Sequence, residues 1–298
     1  MTYTISDLER LSGIQSHTIR IWEQRYNALK PMRSQGNTRM YDDEQLKKLL
    51  NIASLNQSGL KISKICSLSD ADLNDLLNKQ YKVYNKDDNQ AEYFISQLIK
   101  YGIAFDEPGF EYLMNKFIDL YGLIDCYRRV MYPLLVRLGL MWRKDDICPA
   151  HEHFLSNIIR QKIFSAINSI HLGYEDNQTW LLFLPEDEDH DIGLLFANYF
   201  LRSMNQKVIY LGSKVPLNSI KRVLSGVQID HVLLFIVNLK LVKNAQHYID
   251  QLTEICSSTQ IHLAGNEQVI SRLNNLSNIN WLKNLNEFEK FIQLRKAL

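Results

Sequence analysis

The residues best placed to do chemistry lie in a short acidic segment that follows an apolar run. Glu188 stands two residues before His190, and Gly193 follows three residues later. A carboxylate at this spacing can accept one ring N–H of the histidine and fix its tautomer, a common arrangement behind a metal-bound imidazole. The glycine lets the following helix approach a bulky ligand closely. The five acids of this loop leave two alternatives open, a divalent-cation site and a solvated loop with an incidental histidine.

A second cluster of functional side chains is basic and lies near the N-terminus. Residues 18–41 hold five basic side chains and one acid, Glu23. Such a patch can supply the phosphate contacts behind non-specific DNA affinity, although charge alone fits a solvated face equally well. The five cations are Arg20, Arg25, Lys30, Arg33 and Arg39.

Composition limits the wider interpretation. The chain has 298 residues, 46% of them hydrophobic, and a net charge of +1, so the basic patch stands inside a near-neutral protein. Its four cysteines lie far apart with no C-x-x-C pair, which argues against a thiolate zinc site and fits a reducing cytosol. The N-terminus lacks a signal-peptide pattern and no apolar run spans a bilayer, so we expect a cytoplasmic protein without membrane contact.

The basic patch falls among predicted short helices and a hairpin. Ile5, Leu8 and Leu11 predict one helix that ends at Gly13, and Ser16 is expected to cap the next. The turn at 36–37 predicts a β-hairpin, or wing, between extended arms. Asp42 then caps a third helix, whose apolar residues are Leu46, Leu49, Leu50 and Ala53 and which ends at Gly59.

The order of residues here resembles the MerR family of DNA-binding regulators over about 70 residues. The resemblance rests on Thr18 to Glu23, on Leu29-Lys30-Pro31-x-Arg33 and on Asn37-x-Arg39-x-Tyr41. It implies that the second helix enters the major groove and that the wing grips the DNA backbone. By this resemblance the candidates for the groove and its edges are Ser16, His17 and Arg20, those for the wing are Arg33, Asn37 and Arg39, and Trp22 and Tyr41 belong to the core.

Two further zones follow, and they differ in periodicity. Segments 91–102, 107–121, 123–143 and 149–172 have helical spacing and predict a four-helix bundle. From 178 onward, apolar runs at 181–185, 207–212, 231–237 and 261–265 alternate with helical stretches, which predicts a flavodoxin- or Rossmann-like, doubly wound parallel sheet. The predicted domains are therefore 1–77, a mobile polar linker at 78–90, 91–175 and 176–298.

The last zone resembles cobalamin-binding domains of the methionine synthase type. The resemblance covers the segment EDHDIGLLFANYFLRSMNQKVIYLGSKVP. It implies that His190 is the lower axial ligand to cobalt, that Glu188 supports it, and that Gly193 and Gly265 lie beside the cofactor. Two positions differ from the family pattern: Val237 replaces a serine, and Ala264 replaces a glycine.

The bundle carries a second resemblance, to cobalamin-dependent photoreceptor regulators of the CarH type. Trp142 is followed, after nine residues, by Glu152-His153. The resemblance implies that Trp142 covers the upper face of the cofactor and that Glu152 and His153 line the pocket. Ordinary bundle core is the alternative for Trp142. Arg143 stands where these photoreceptors place a second cobalt-binding histidine.

Together these features predict a DNA-binding transcriptional regulator, not an enzyme, that is gated by adenosylcobalamin or methylcobalamin, with light as one possible trigger. The expected partners are a double-stranded DNA operator, further copies of the chain in a dimer or tetramer, and RNA polymerase. One alternative keeps the DNA binding but uses a degenerate sensor domain for oligomerisation or partner docking, as the changes at Val237 and Ala264 suggest. A corrinoid carrier for methyl transfer is the third interpretation.

Overall fold

The computed structural model describes residues 2–34, 36–57, 59–69, 72–73, 76, 89–142, 149–171, 173, 178–237, 242–257, 259–274 and 276–296. These residues form two compact units, Met1–Ile158 and Ile159–Leu298. The predicted linker at 78–90 lies outside the described residues, except for its last two positions, which begin a helix.

The first unit begins with two short helices whose limits are set by local chemistry. They are α1 (Ile5–Ser12) and α2 (Ser16–Tyr26). Thr4 and Asp7 form a reciprocal capping box at the start of α1, and Gly13 ends it in the left-handed conformation with φ of 71°. The side chains predicted to face the core are buried, namely Leu8, Leu11, Ile19 and Trp22.

The start of α2 differs from the prediction. Ser16 is the first residue inside the helix and not its cap, so that prediction is wrong. Gln15 occupies the cap position, and within the described residues its side chain makes no capping hydrogen bond. Ser16 instead donates its hydroxyl and its backbone N–H to the carboxylate of Glu9 on α1, which joins the two helices.

The predicted wing is confirmed as an antiparallel hairpin. Its strands are β2 (Met32–Arg33) and β3 (Arg39–Asp42), and Asn37 in the turn has a left-handed φ of 60°. A strand that the sequence does not predict, β1 (Thr2–Tyr3), pairs with the other edge of β3. The wing is therefore part of a three-stranded sheet.

Two more helices follow the wing, α3 (Asp43–Gln57) and α4 (Ile62–Cys66). The predicted cap is confirmed, because the Oδ1 atom of Asp42 accepts the backbone N–H of Gln45 at 2.9 Å. All the apolar residues predicted on α3 are fully buried, namely Leu46, Leu49, Leu50 and Ala53. We refer to residues 2–66 as the winged domain.

Long helices follow the winged domain, and the last of them continues past Ile158, the end of the first unit, into the second. They are α5 (Asn89–Ile103), α6 (Glu107–Cys126), a π-helical segment (Tyr127–Met131), α7 (Tyr132–Trp142) and α8 (Pro149–Asn168). The four predicted helices are present. The predicted break near residue 122 is a kink, because Gly122 has φ of 80° inside otherwise helical backbone. The last helix ends at residue 168 rather than at the predicted 172.

The winged domain packs against these long helices through α3 and α5. Within that contact, the Nε2 atom of Gln97 donates to the Oγ atom of Ser54 at 2.9 Å and to the Oδ1 atom of Asn51 at 3.3 Å. All three side chains are buried. Two domains that the sequence predicts separately therefore share a buried polar contact within one unit. We call this contact the α3–α5 seam.

The second unit contains a five-stranded parallel sheet. Its strands are β4 (Thr179–Phe183), β5 (Lys207–Gly212), β6 (His231–Ile236), β7 (Gln260–Gly265) and β8 (Ile279–Trp281), in the order β5-β4-β6-β7-β8. This is the flavodoxin-like order, and the predicted fold class is confirmed. The helices are α9 (Ile192–Ser203), α10 (Leu217–Gly226), α11 (Val242–Ile255), α12 (Glu267–Ile270) and α13 (Leu285–Lys296).

The interior strands explain why the sequence signal for the sheet is strong. Every residue of β4 is buried, as a parallel strand covered on both faces requires. β6 and β7 are also mostly buried, and both were predicted.

Among the described residues, no helix combines the length and apolar character that crossing a bilayer requires.

Candidate functional site

The topology of the sheet indicates where a ligand should bind. The chain runs from β4 to β5 on one side and later returns to β6 on the other side of β4. Ligands of open α/β sheets bind beyond the carboxyl ends of the strands at such a switch point. The loop after β4, residues 184–191, and Val237 after β6 both lie at this position.

Glu188 and His190 meet in this loop. The Oε1 atom of Glu188 is 2.5 Å from the Nδ1 atom of His190 and also accepts the backbone N–H groups of Asp189 and His190 at 3.1 and 3.2 Å. Its Oε2 atom accepts the N–H of Val237 at 2.8 Å. Glu188 is fully buried, and these donors compensate the burial of its charge.

This geometry defines the chemistry that His190 can perform. With Nδ1–H donated to the carboxylate, the lone pair resides on Nε2, which is the atom that a metal ion would use. The side chain of His190 is 49% exposed, whereas that of Glu188 is buried. Glu188 therefore holds the imidazole ring of His190 in place, and the ring remains accessible to a ligand from outside the sheet.

A second contact holds the same loop from another helix. Arg160 on α8 donates from Nη2 to the Oδ1 atom of Asp191 at 2.9 Å and from Nε to its Oδ2 atom at 3.2 Å. Asp191 follows His190 directly and precedes α9. Sequence reasoning missed Arg160, because no local pattern connects it with a residue 31 positions away.

The two glycines predicted beside the cofactor have clear roles in packing. A Cβ atom at Gly193 would lie 3.0 Å from the ring of Phe235 on β6. At Gly265, where φ is +129°, a Cβ atom would lie 2.1 Å from the carbonyl oxygen of Ile236. Gly265 therefore requires glycine, whereas a Cβ atom at Gly193 would press on the ring of Phe235; contact of either residue with a cofactor stays a prediction.

The two departures from the cobalamin-domain pattern have different consequences. Val237 supports Glu188 through its backbone N–H, an interaction that does not depend on the side chain at that position. Ala264 is buried in β7, so its methyl group occupies space that a glycine would leave open. Asn238 and Leu239 of the same pattern lie outside the described residues.

A metal ion other than cobalt has one candidate site among the described residues. Ligand atoms of Glu188, Asp189 and His190 lie within 4.8 Å of one another. The carboxylate of Glu188 already accepts the four N–H groups described above, which makes it a partner of the imidazole rather than an open ligand. Glu188 therefore acts as the hydrogen-bond partner of the imidazole, and metal binding by His190 stays a prediction.

The predicted cap residues lie in the first unit. Trp142 is the last residue of α7, and its side chain, like all of Arg143, lies outside what the structure describes. His153 is 73% exposed and its Nδ1 atom is 3.0 Å from Glu152. His151 points the other way, is buried and stacks on Phe105 with the ring centroids 4.4 Å apart. His151 and His153 therefore lie on different faces of the helix.

The winged domain presents its predicted DNA residues in different ways. His17 and Arg20 are exposed on α2. Ser16 is engaged by Glu9, and this hydrogen bonding holds the pKa of the Glu9 carboxyl below its usual range. On the wing, the Nη1 atom of Arg33 donates to the Oδ1 atom of Asn37 at 2.7 Å.

Arg39 has an internal partner that the sequence analysis did not foresee. Its Nε atom is 3.1 Å from the Oε2 atom of Glu23, whose side chain is only 7% exposed. Tyr41 donates its hydroxyl to the other oxygen of Glu23, and burial followed by this bond raises the pKa of Tyr41. This contact holds the wing against α2, so the guanidinium of Arg39 already has a partner within the protein. The sequence did contain a signal for this contact, because Glu23 is the only acid among the basic residues of 18–41.

Comparison with known proteins identifies two domain families within the chain. Residues 3–71 match the MerR HTH family of regulatory proteins, and residues 94–165 match the B12 binding domain family. The fold and these matches define the class: a DNA-binding transcriptional regulator with a MerR-type helix-turn-helix domain and a B12 binding domain.

Two transcriptional repressors are similar to this chain over most of its length. The chain is 27% identical to the HTH-type transcriptional repressor CarH of Myxococcus xanthus, over 85% of this chain and 84% of the relative. It is 24% identical to the repressor CarA of the same organism, over 89% and 87% of the two chains. The solved monomethylamine corrinoid protein of Methanosarcina barkeri matches with a TM-score of 0.50 and 12% identity, covering 67% of this chain and 98% of that one. This last likeness shows the fold alone.

Proposed function

We propose that this chain is a transcriptional regulator whose binding to DNA is gated by cobalamin. The observation that carries the proposal is the fully buried carboxylate of Glu188, which fixes His190 at the switch point of the sheet. A solvated loop with an incidental histidine would not bury a carboxylate and saturate it with backbone donors. The similarity to CarH and CarA makes repression the expected sign of regulation.

The residues of the loop fit the cofactor. His190 would hold cobalt through Nε2, Glu188 would keep the ring in the required tautomer, and Arg160 would hold the loop through Asp191. When bound, cobalamin would supply a cobalt ion that His190 could hold and a light-sensitive organic ligand. In the proposal, Trp142 with Glu152 and His153 would cover that organic ligand, and light would be one trigger of gating.

Gating requires that cobalamin bind two states of the protein with different affinity, because only differential binding shifts an equilibrium. In our proposal, these states are two oligomeric arrangements, a dimer or tetramer that binds a two-fold operator and a smaller form that does not. Paired winged domains then bind half-sites that are whole DNA turns apart. Contact with RNA polymerase at the promoter is a further part of the proposal.

The test uses the full chain purified in the dark with adenosylcobalamin or with methylcobalamin. Absorbance that co-elutes on gel filtration reports binding, and retardation of a duplex selected from a random pool reports DNA affinity before and after illumination. His190→Ala should weaken cobalamin binding at least about ten-fold. The matched control His247→Ala, at an exposed position on α11, should leave it unchanged. No co-eluting chromophore, together with DNA binding that ignores the cofactor, would refute the gating.

A second candidate has one observation in its favour. The methyl group of Ala264 occupies space that cobalamin-binding domains leave open, and Phe235 lies against Gly193. A sensor domain that lacks cofactor would then serve oligomerisation. It predicts that the chain self-associates and binds DNA equally with and without cobalamin, which the same experiment measures. Methyl transfer from free methylcobalamin would favour the corrinoid-carrier alternative instead.

A further inference from the structure

The exposed face of α2 contains an apolar side chain among cations. Ile21 is 43% exposed although it lies in an amphipathic helix whose Ile19 and Trp22 are buried. The acid of this helix, Glu23, is turned away toward Arg39 on the wing. The outward face therefore carries no acidic side chain of α2 itself, with Glu9 of α1 bonded to Ser16 at its start, and it has an isoleucine near its middle.

Helical geometry orders the residues on that face. With about 100° between successive residues, and His17 taken as the centre, Gln24 lies about 20° to one side and Ile21 about 40° to the other. Arg20 and Arg25 flank this stripe at about 60° and about 80° on opposite sides. All five side chains are exposed. The central stripe, which we call the reading stripe, is thus neutral or apolar, and each edge carries an arginine.

Such an arrangement divides the work of DNA binding. A helix in the major groove has a phosphate backbone on each side, so the two flanking arginines can reach phosphates and position the helix. The reading stripe faces the base edges. There, a glutamine amide pairs with adenine at N6 and N7, and an apolar side chain contacts the methyl group of thymine.

We propose that the regulator reads neighbouring A·T pairs in each half-site, with Ile21 against a thymine methyl and Gln24 against an adenine. The inference rests on the proposed function, since it concerns the same DNA contact. It assigns base specificity to Ile21 and Gln24, and it assigns positioning to Arg20 and Arg25.

The test begins with duplexes selected from a random pool by the full chain, with and without cobalamin. The selected half-sites should contain adjacent A·T pairs. Replacing the contacted thymine by uracil removes only one methyl group, and it should weaken binding about four-fold. For Ile21→Ala, thymine and uracil should bind equally. Gln24→Ala should reduce the preference for A·T over G·C at one position about ten-fold.

The matched control is Arg25→Ala on the edge of the same helix. It should weaken binding to every duplex alike and lower the slope of affinity against salt by about one unit. If the chain binds no duplex even at low salt, the proposed function fails and the inference fails with it. If the chain binds duplexes but treats thymine and uracil alike, only the inference is wrong. It is equally wrong if Ile21→Ala changes self-association without changing base preference.

Discussion

The replacement Glu188→Gln tests the contact between the carboxylate of Glu188 and the Nδ1 atom of His190. The glutamine keeps the shape of the side chain but turns one acceptor oxygen into an NH2 donor. The best placement keeps the oxygen beside His190, which directs the new donor at the backbone N–H of Val237. Two donors then face each other in a site that is fully buried.

The magnitude follows from these contacts. An unsatisfied donor in a buried site costs about 1–3 kcal/mol of folding free energy. The imidazole also loses its charged partner, and loss of such a partner behind a metal ligand weakens metal affinity about 10–100-fold. We therefore expect a lower free energy of unfolding of the second unit and a weaker affinity for cobalamin in the same variant.

Two measurements and one control separate the effects. Urea unfolding of the full chain gives the stability, and absorbance titration with adenosylcobalamin in the dark gives the affinity. Glu186→Gln makes the same chemical change at an exposed position of the same loop. If Glu188→Gln unfolds and binds cobalamin as Glu186→Gln does, the assignment of Glu188 as the partner of His190 is refuted.

Three further predictions concern other contacts. Gly265→Ala should lower the free energy of unfolding by roughly 2 kcal/mol or more, since its Cβ atom would lie 2.1 Å from a backbone oxygen and the residue has a positive φ. Near-normal unfolding in urea would contradict this. Arg160→Ala should free Asp191 and weaken cobalamin binding without changing affinity for DNA of the cofactor-free chain, as paired titrations would reveal. Ser16→Ala should make thermal stability less sensitive to acid. The lowered pKa of Glu9 contributes to the stability of the folded chain above about pH 4.3, and this contribution is lost as the carboxyl is protonated on acidification. An unchanged dependence of stability on acid would argue against the hydrogen bond from Ser16.

The sequence predicted the elements whose signals are local and repeated. The hairpin has turn residues at 36–37, the kink has Gly122, and the strands of the sheet interior are unbroken apolar runs. It missed β1 and β8, which contain only two and three residues. Strands this short show no periodicity, and pairing with β3 and β7 is what defines them.

Prediction of the site had a similar limit. The pairing of Glu188 with His190 follows from a spacing of two residues and could be read directly from the chain. The bond from Val237 to the same carboxylate joins two strand ends that only the sheet order brings together. Arg160 and the contact between Glu23 and Arg39 likewise depend on packing between distant segments. Sequence spacing therefore predicted the candidate ligand and its nearest partner, and the fold supplied the contacts that hold them in place.

The α3–α5 seam bears on how such a regulator can be divided into parts. Gln97 presents a buried amide to Ser54 and Asn51, so a fragment that ends before α5 would expose those two polar groups and the apolar surface around them. Polar groups buried between two modules favour one alignment over others, because a slipped register leaves them unsatisfied. A winged domain grafted onto another protein would lose this alignment. The orientation of the winged domain on DNA is thus a property of the whole first unit. Operator spacing measured with an isolated winged domain would therefore not apply to the full chain.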